Sequence, residues 1–310
     1  MEDYKRKRVD YINQWPQSSL FDAELQYYQR CEAFVETNGV QPFLPLKMWY
    51  EADKDYNIAL SRIIESLESM PTKPHHAFSY AFICFDLYSE KIAPTGKNIT
   101  ERIKYIIDRI DLLAQQNPDI DQLLKDLFSS IPMQSTLFMY KVLFEDLSSN
   151  DQVYKRVTKD YNGVDNANRK ALLNSIYQKY GYDKTQFGSS IRKGSALLRK
   201  LLFQNSIILG NDTYTIDRII RLHLLLSGFL YSLRNSSAHG DSISITKSSN
   251  TSPERYALNY YAFLSMYCIC LLLLIDGSTA IDKNTKYKEL STVMGNNISN
   301  MKKLFGSHMG

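Results

Sequence analysis

Residues 256–275 carry no charge for twenty positions, between Arg255 and Asp276. Few folds admit such a run. It either crosses a bilayer, for which about 20 apolar residues suffice, or forms a helix enclosed on every side by the rest of its own chain. Asn259, Ser265 and several tyrosines interrupt the apolar character, and no basic clusters flank it. A central core helix is therefore the expected outcome, with a membrane-associated protein as the lesser alternative. Pro253 suits the first turn of that helix. A helix buried all round needs many partners. The chain can supply them, with 310 residues of which 44% are hydrophobic.

The partners read as further helices. Leu60, Ile63, Ile64 and Leu67 recur at helical spacing, as do Ile99, Ile103, Ile106 and Ile110, and then Ile120, Leu123, Leu124 and Leu127. Pro16, Pro42, Pro45, Pro71, Pro74, Pro94, Pro118 and Pro132 punctuate the first half. Proline inside a helix is costly, so these positions predict helix starts and ends. The one strand candidate spans residues 206–214, where Gly210, Asn211 and Asp212 can turn a hairpin. The expected fold is all-α. A polar stretch over 148–165 marks a soft boundary between an N-terminal helical region, 1–150, and a C-terminal bundle, 165–305. Residues 306–310, Gly-Ser-His-Met-Gly, resemble a vector-derived tail, which removes His308 from the candidate chemistry.

Charge and cysteines narrow the function. A net charge of +4 is mildly basic, short of a dedicated nucleic-acid-binding domain but compatible with a local basic groove. Cys31, Cys84, Cys268 and Cys270 lack the paired spacing of a zinc framework and read as buried thiols of a reducing compartment, so a cytoplasmic location is expected. Residues 1–10 are charged throughout and lack the apolar core of a secretory signal. No metal or other cofactor is expected. His75 and His76 follow Pro74 at a helix start, and neighbours on a helix do not readily share one metal.

One constellation carries chemistry. A helix predicted over 215–234 ends in Arg234, Asn235, three small residues, His239 and Gly240. Gly240 suits a left-handed helix end. At about 100° per residue, Ser227 and His223 fall within about 20° of Arg234 around the helix axis. The three residues would make a polar stripe on an apolar helix, and such a stripe needs a partner or a cavity. Arg192, Lys193, Arg199 and Lys200 form a basic stretch just before it and could contact phosphates.

Arginine, four residues, histidine, with Asn after the arginine and Gly after the histidine, resembles the signature of the HEPN superfamily. The resemblance covers roughly residues 165–305 and leaves 1–150 unassigned. It implies a four- or five-helix bundle that dimerises, so that two copies build a composite ribonuclease site. Arg234 and His239 would be catalytic, with Asn235 orienting them or the phosphate. Beside the resemblance, His223 and Ser227 are candidate polar contacts to RNA, together with the four cations. The implied reaction is metal-independent: the RNA 2′-hydroxyl attacks, leaving a 2′,3′-cyclic phosphate and a 5′-hydroxyl. Histidine can serve as acid or base near neutral pH, and arginine offers a permanent forked donor to phosphate. Host defence and toxin systems are the settings the resemblance implies, with a regulatory protein or antitoxin as a further partner. A non-catalytic HEPN-like module for dimerisation or partner binding is the alternative.

Overall fold

The computed structural model describes residues 3–145, 152–181, 188–238 and 244–310. The protein is all-α apart from one hairpin. In chain order the helices are α1 (Asp3–Gln14), α2 (Asp22–Asn38), α3 (Lys54–Glu68), α4 (Pro74–Ile92), α5 (Ile99–Gln116), α6 (Pro118–Ser129), α7 (Met133–Phe144), α8 (Gln152–Thr158), α9 (Ala167–Tyr180) and α10 (Ser189–Leu201). Strands β1 (Ser206–Leu209) and β2 (Asp212–Thr215) follow. Then come α11 (Arg218–Leu222), a π-helical segment (His223–Leu230), α12 (Tyr231–Ala238), α13 (Pro253–Gly277) and α14 (Lys283–Phe305).

Local chemistry sets these boundaries. Pro74, Pro118 and Pro253 each occupy the first turn of a helix, and the other prolines lie outside helix interiors. The side chains of Asp53, Asn98, Asn117, Asn166, Asp217 and Asp282 accept backbone N–H bonds at six helix starts. The hairpin closes as the sequence predicts, with Leu209 opposite Asp212 and a two-residue loop. Gly210 takes φ +64°, as the first loop residue of a type II′ turn requires, and Asn211 stays in the ordinary region.

Helix α13 is the spine. All of residues 256–275 are buried, and α4, α14, α7, α2 and α3 pack around them. Its length and apolarity would also allow a membrane crossing, but its most apolar stretch is wholly enclosed by protein. Two of its tyrosines bond the loop that joins α2 to α3. Tyr260 donates to the Pro42 carbonyl at 2.8 Å, and Tyr267 accepts from the Leu46 N–H at 2.8 Å. Asn297 of α14 clasps the same loop through the Leu44 N–H at 2.7 Å and the Leu44 carbonyl at 2.8 Å.

Three expectations change. The polar stretch 148–165 does not coincide with a break in the core, because one contiguous set of buried residues runs from Ala23 to Met309. A helix apolar on every side must be covered from every side, so both halves pack on α13. The Gly306–Met309 segment is a docked turn: His308 lies between Arg30 and Glu254, and Met309 is buried. Ile64 of the first helical repeat is 51% exposed, while Ile63 is buried.

Candidate functional site

The hairpin aims the segment that carries the motif. Arg221 is buried at its base and donates to the Gln204 carbonyl and the Asn205 side chain, both at 3.0 Å. Arg218 bridges to Asp111 of α5 at 2.7 Å and also to Asp121 of α6. From there α11 does not continue as an α-helix. Residues His223–Leu230 are π-helical, and the Tyr231 N–H bonds the Leu226 carbonyl, five residues back. π-Helical geometry is rare and frequently marks functional sites.

That wider turn removes the expected polar stripe, because a rotation of about 100° per residue holds only for an α-helix. His223 and Ser227 are 1% and 2% exposed, so the expected RNA contact by either is corrected to a place in the core. Burial, with Arg169 and Lys104 adding to it, pushes the His223 imidazole down to about 3; Asp160 opposes this. Its Nδ1 has no hydrogen-bond partner.

Arg234 behaves differently. It is half-buried midway along α12, with its guanidinium carbon 5.5 Å from the Phe82 ring centre. Its Nη1 donates to Asn235 Oδ1 at 3.1 Å, and none of the described carboxylates pairs with it. On the other side of α12, Arg156 of α8 donates to Ser232 Oγ at 2.9 Å and lies 4.7 Å over the Tyr231 ring. Tyr231 in turn stacks on Phe82, at 6.1 Å and 22°. Arg156, Tyr231, Phe82 and Arg234 thus form one ladder. Each guanidinium rests a face on an aromatic ring, which leaves its N–H edges for hydrogen bonds.

His239 and Gly240 lie outside the described residues. The chain is described again from Ser244, whose Oγ is 3.1 Å from His75 Nε2. His75 sits seven residues, about 10 Å, before Phe82 on α4. Both ends of the motif segment are therefore anchored on α4. Burial, then the neighbouring His76 and Lys73, push His75 down to about 3, and its Nδ1 is buried without a partner. No sequence signal points to this: His75 shares a helix face with Phe82, but nothing in the spacing says that the face meets residues 234 and 244. Arg156 had no signal at all.

Two other regions complete the picture. A cleft of about 680 Å³ is lined by Asp108, Asp160, Asn162, Arg169 and Asp217 among others. Arg169, 2% exposed, is its buried cation and pairs with Asp160. With three carboxylates to one guanidinium it has the wrong sign for phosphate. On α10, Arg192, Lys193 and Lys200 are exposed and Arg199 is half-buried. Among the described residues, no group of His, Cys, Asp or Glu could hold a metal ion. All four cysteines are free and buried, and burial pushes the Cys268 thiol up to about 12.

The fold and this arrangement define an all-α protein whose Arg234 on α12, backed by a ring, pairs with none of the described carboxylates. No protein-family model, curated protein or solved structure matches the chain.

Proposed function

We propose that the chain is a metal-independent endoribonuclease in which Arg234 and His239 act together. The observation that carries this reading is Arg234 itself. It is backed by Phe82, bonded to Asn235 and, among the described residues, left without a carboxylate. An arginine half-removed from water without a counter-ion favours an anion at its open edge. Arg156 brings a second guanidinium to the same ladder.

In this reading the phosphate between two nucleotides rests against Arg234. A histidine takes the proton of the 2′-hydroxyl as its oxygen bonds to phosphorus. The phosphorus–5′-oxygen bond breaks, and the leaving oxygen receives a proton from an acid. The product ends are a 2′,3′-cyclic phosphate and a 5′-hydroxyl. One His239 per chain supplies one proton-transfer group, so a second copy completes the site in a homodimer. A cytoplasmic setting in defence or toxin systems, with a regulatory protein or antitoxin as partner, belongs to the same proposal.

The test is cleavage of tRNA, rRNA and mRNA in EDTA by wild type, Arg234→Ala and His239→Ala, with end analysis of the products. Cyclic-phosphate ends from wild type alone are expected. Cleavage by Arg234→Ala at the wild-type rate would refute the assignment.

A further inference from the structure

The four cations on α10 equal the protein's entire formal excess of +4, so the remaining residues sum to neutrality. No acidic residue occurs over 188–211. Among the described residues, Arg192, Lys193, Arg199 and Lys200 form no ion pair. Four cations without a neighbouring acidic residue therefore lie on one helix.

That helix is held firmly. Gly194 sits directly against the Tyr140 ring of α7, so the two backbones approach as closely as a missing side chain allows. Ile191, Leu198 and Leu201 are buried on the same side. The opposite side is fixed outward. Just past the end of α10, Phe203 is 47% exposed, and the Arg221 bond to the Gln204 carbonyl pins the backbone that carries it.

Arg199, Lys200 and Phe203 share a groove of about 460 Å³ with Ser129, Met133 and Ala196. Arg199 is half-buried there, burial pushes its guanidinium down, and no described carboxylate pairs with it. A desolvated cation beside an exposed aromatic ring suits a ligand that is anionic at one point and flat at the next. A nucleic-acid strand with unpaired bases has that alternation. A duplex hides its bases, and a bilayer surface does not enter a concave groove.

We propose that this groove is a docking site for single-stranded RNA, with the α10 cations on successive phosphates and Phe203 stacked on one base. The proposal rests on the ribonuclease reading for its choice of RNA, and it adds a binding surface on α10 and the segment after it.

The test uses the full chain carrying His239→Ala. A 5′-fluorescein single-stranded RNA of about twelve nucleotides is titrated in EDTA at several salt concentrations, with fluorescence polarisation as the readout. Adding Arg199→Gln with Lys200→Gln is expected to lower the slope of log affinity against log salt by about 1.4, at about 0.7 per cation. Phe203→Ala should weaken binding about 5- to 150-fold while leaving that slope unchanged. Lys200 is exposed, Phe203 is 47% exposed and Arg199 is partly exposed, so thermal midpoints should stay close to the parent. RNA binding unaltered in both variants, or absent in the parent, would overturn the proposal. So would binding of phosphatidylglycerol vesicles that competes with RNA for the same three residues. Wild-type cleavage is measured in parallel. Groove-dependent binding without cleavage would sink the nuclease reading alone.

Discussion

Replacing His223 by Leu should flatten the protein's loss of stability on mild acidification. In the unfolded chain the imidazole has its ordinary value of 6.5; in the fold burial, then Arg169 and Lys104, push it down to about 3. A base whose folded value is depressed binds its proton only when the chain unfolds. Its contribution is intact above about pH 6.5 and is lost as pH falls toward 3. At pH 5 protonated unfolded imidazole outnumbers neutral by about thirty to one, while the folded group stays neutral. That is about 1.5 logarithmic units, or about 2 kcal/mol. Any folded value below about 4 gives the same figure, because pH 5 still lies above it. Asp121, Asp160 and Glu254, held below their ordinary values, lose their contributions only at lower pH. His75 is depressed as well and titrates in both proteins. Guanidinium unfolding at about pH 8 and about pH 5 reads the effect. Between these pH values the Leu variant should lose about 2 kcal/mol less than wild type. Equal losses would refute the placement of a neutral, partnerless His223 in the core.

Three further outcomes follow from packing. Gly194→Ala should destabilise by about 1–3 kcal/mol in thermal or chemical unfolding, because the new methyl group meets the buried Tyr140 ring; the helix-propensity gain of about 1 kcal/mol does not compensate. Asp160→Ala should cost about 2 kcal/mol by the same measurement, since it strips Arg169, 2% exposed, of its charged partner. Asn297→Ala should cost about 2–4 kcal/mol and speed hydrogen exchange at the Leu44 amide, because both polar groups of that residue lose their bond.

The all-α class, the proline-marked helix ends, the hairpin turn and the central position of residues 256–275 were legible along the chain. Each depends on local rules: a proline ring that cannot sit mid-helix, a glycine that accepts positive φ, and twenty uncharged residues that must be covered. The motif residues Arg234 and Asn235 were also legible as residues, and the structure adds the Phe82 backing and the lack of a carboxylate partner among the described residues. What neighbouring residues could not convey was contact between distant segments. Helical periodicity assumes an α-helix, so the switch to π geometry at His223 displaced the expected stripe and buried two of its members. The alignment of Arg156, Tyr231, Phe82 and Arg234 joins α8, α12 and α4, elements up to about 150 residues apart, by ring and guanidinium packing. The sequence by itself determined which segments become helices and which one must be enclosed. Only the tertiary structure decided which polar side chains face solvent, because that depends on how the other helices close around α13.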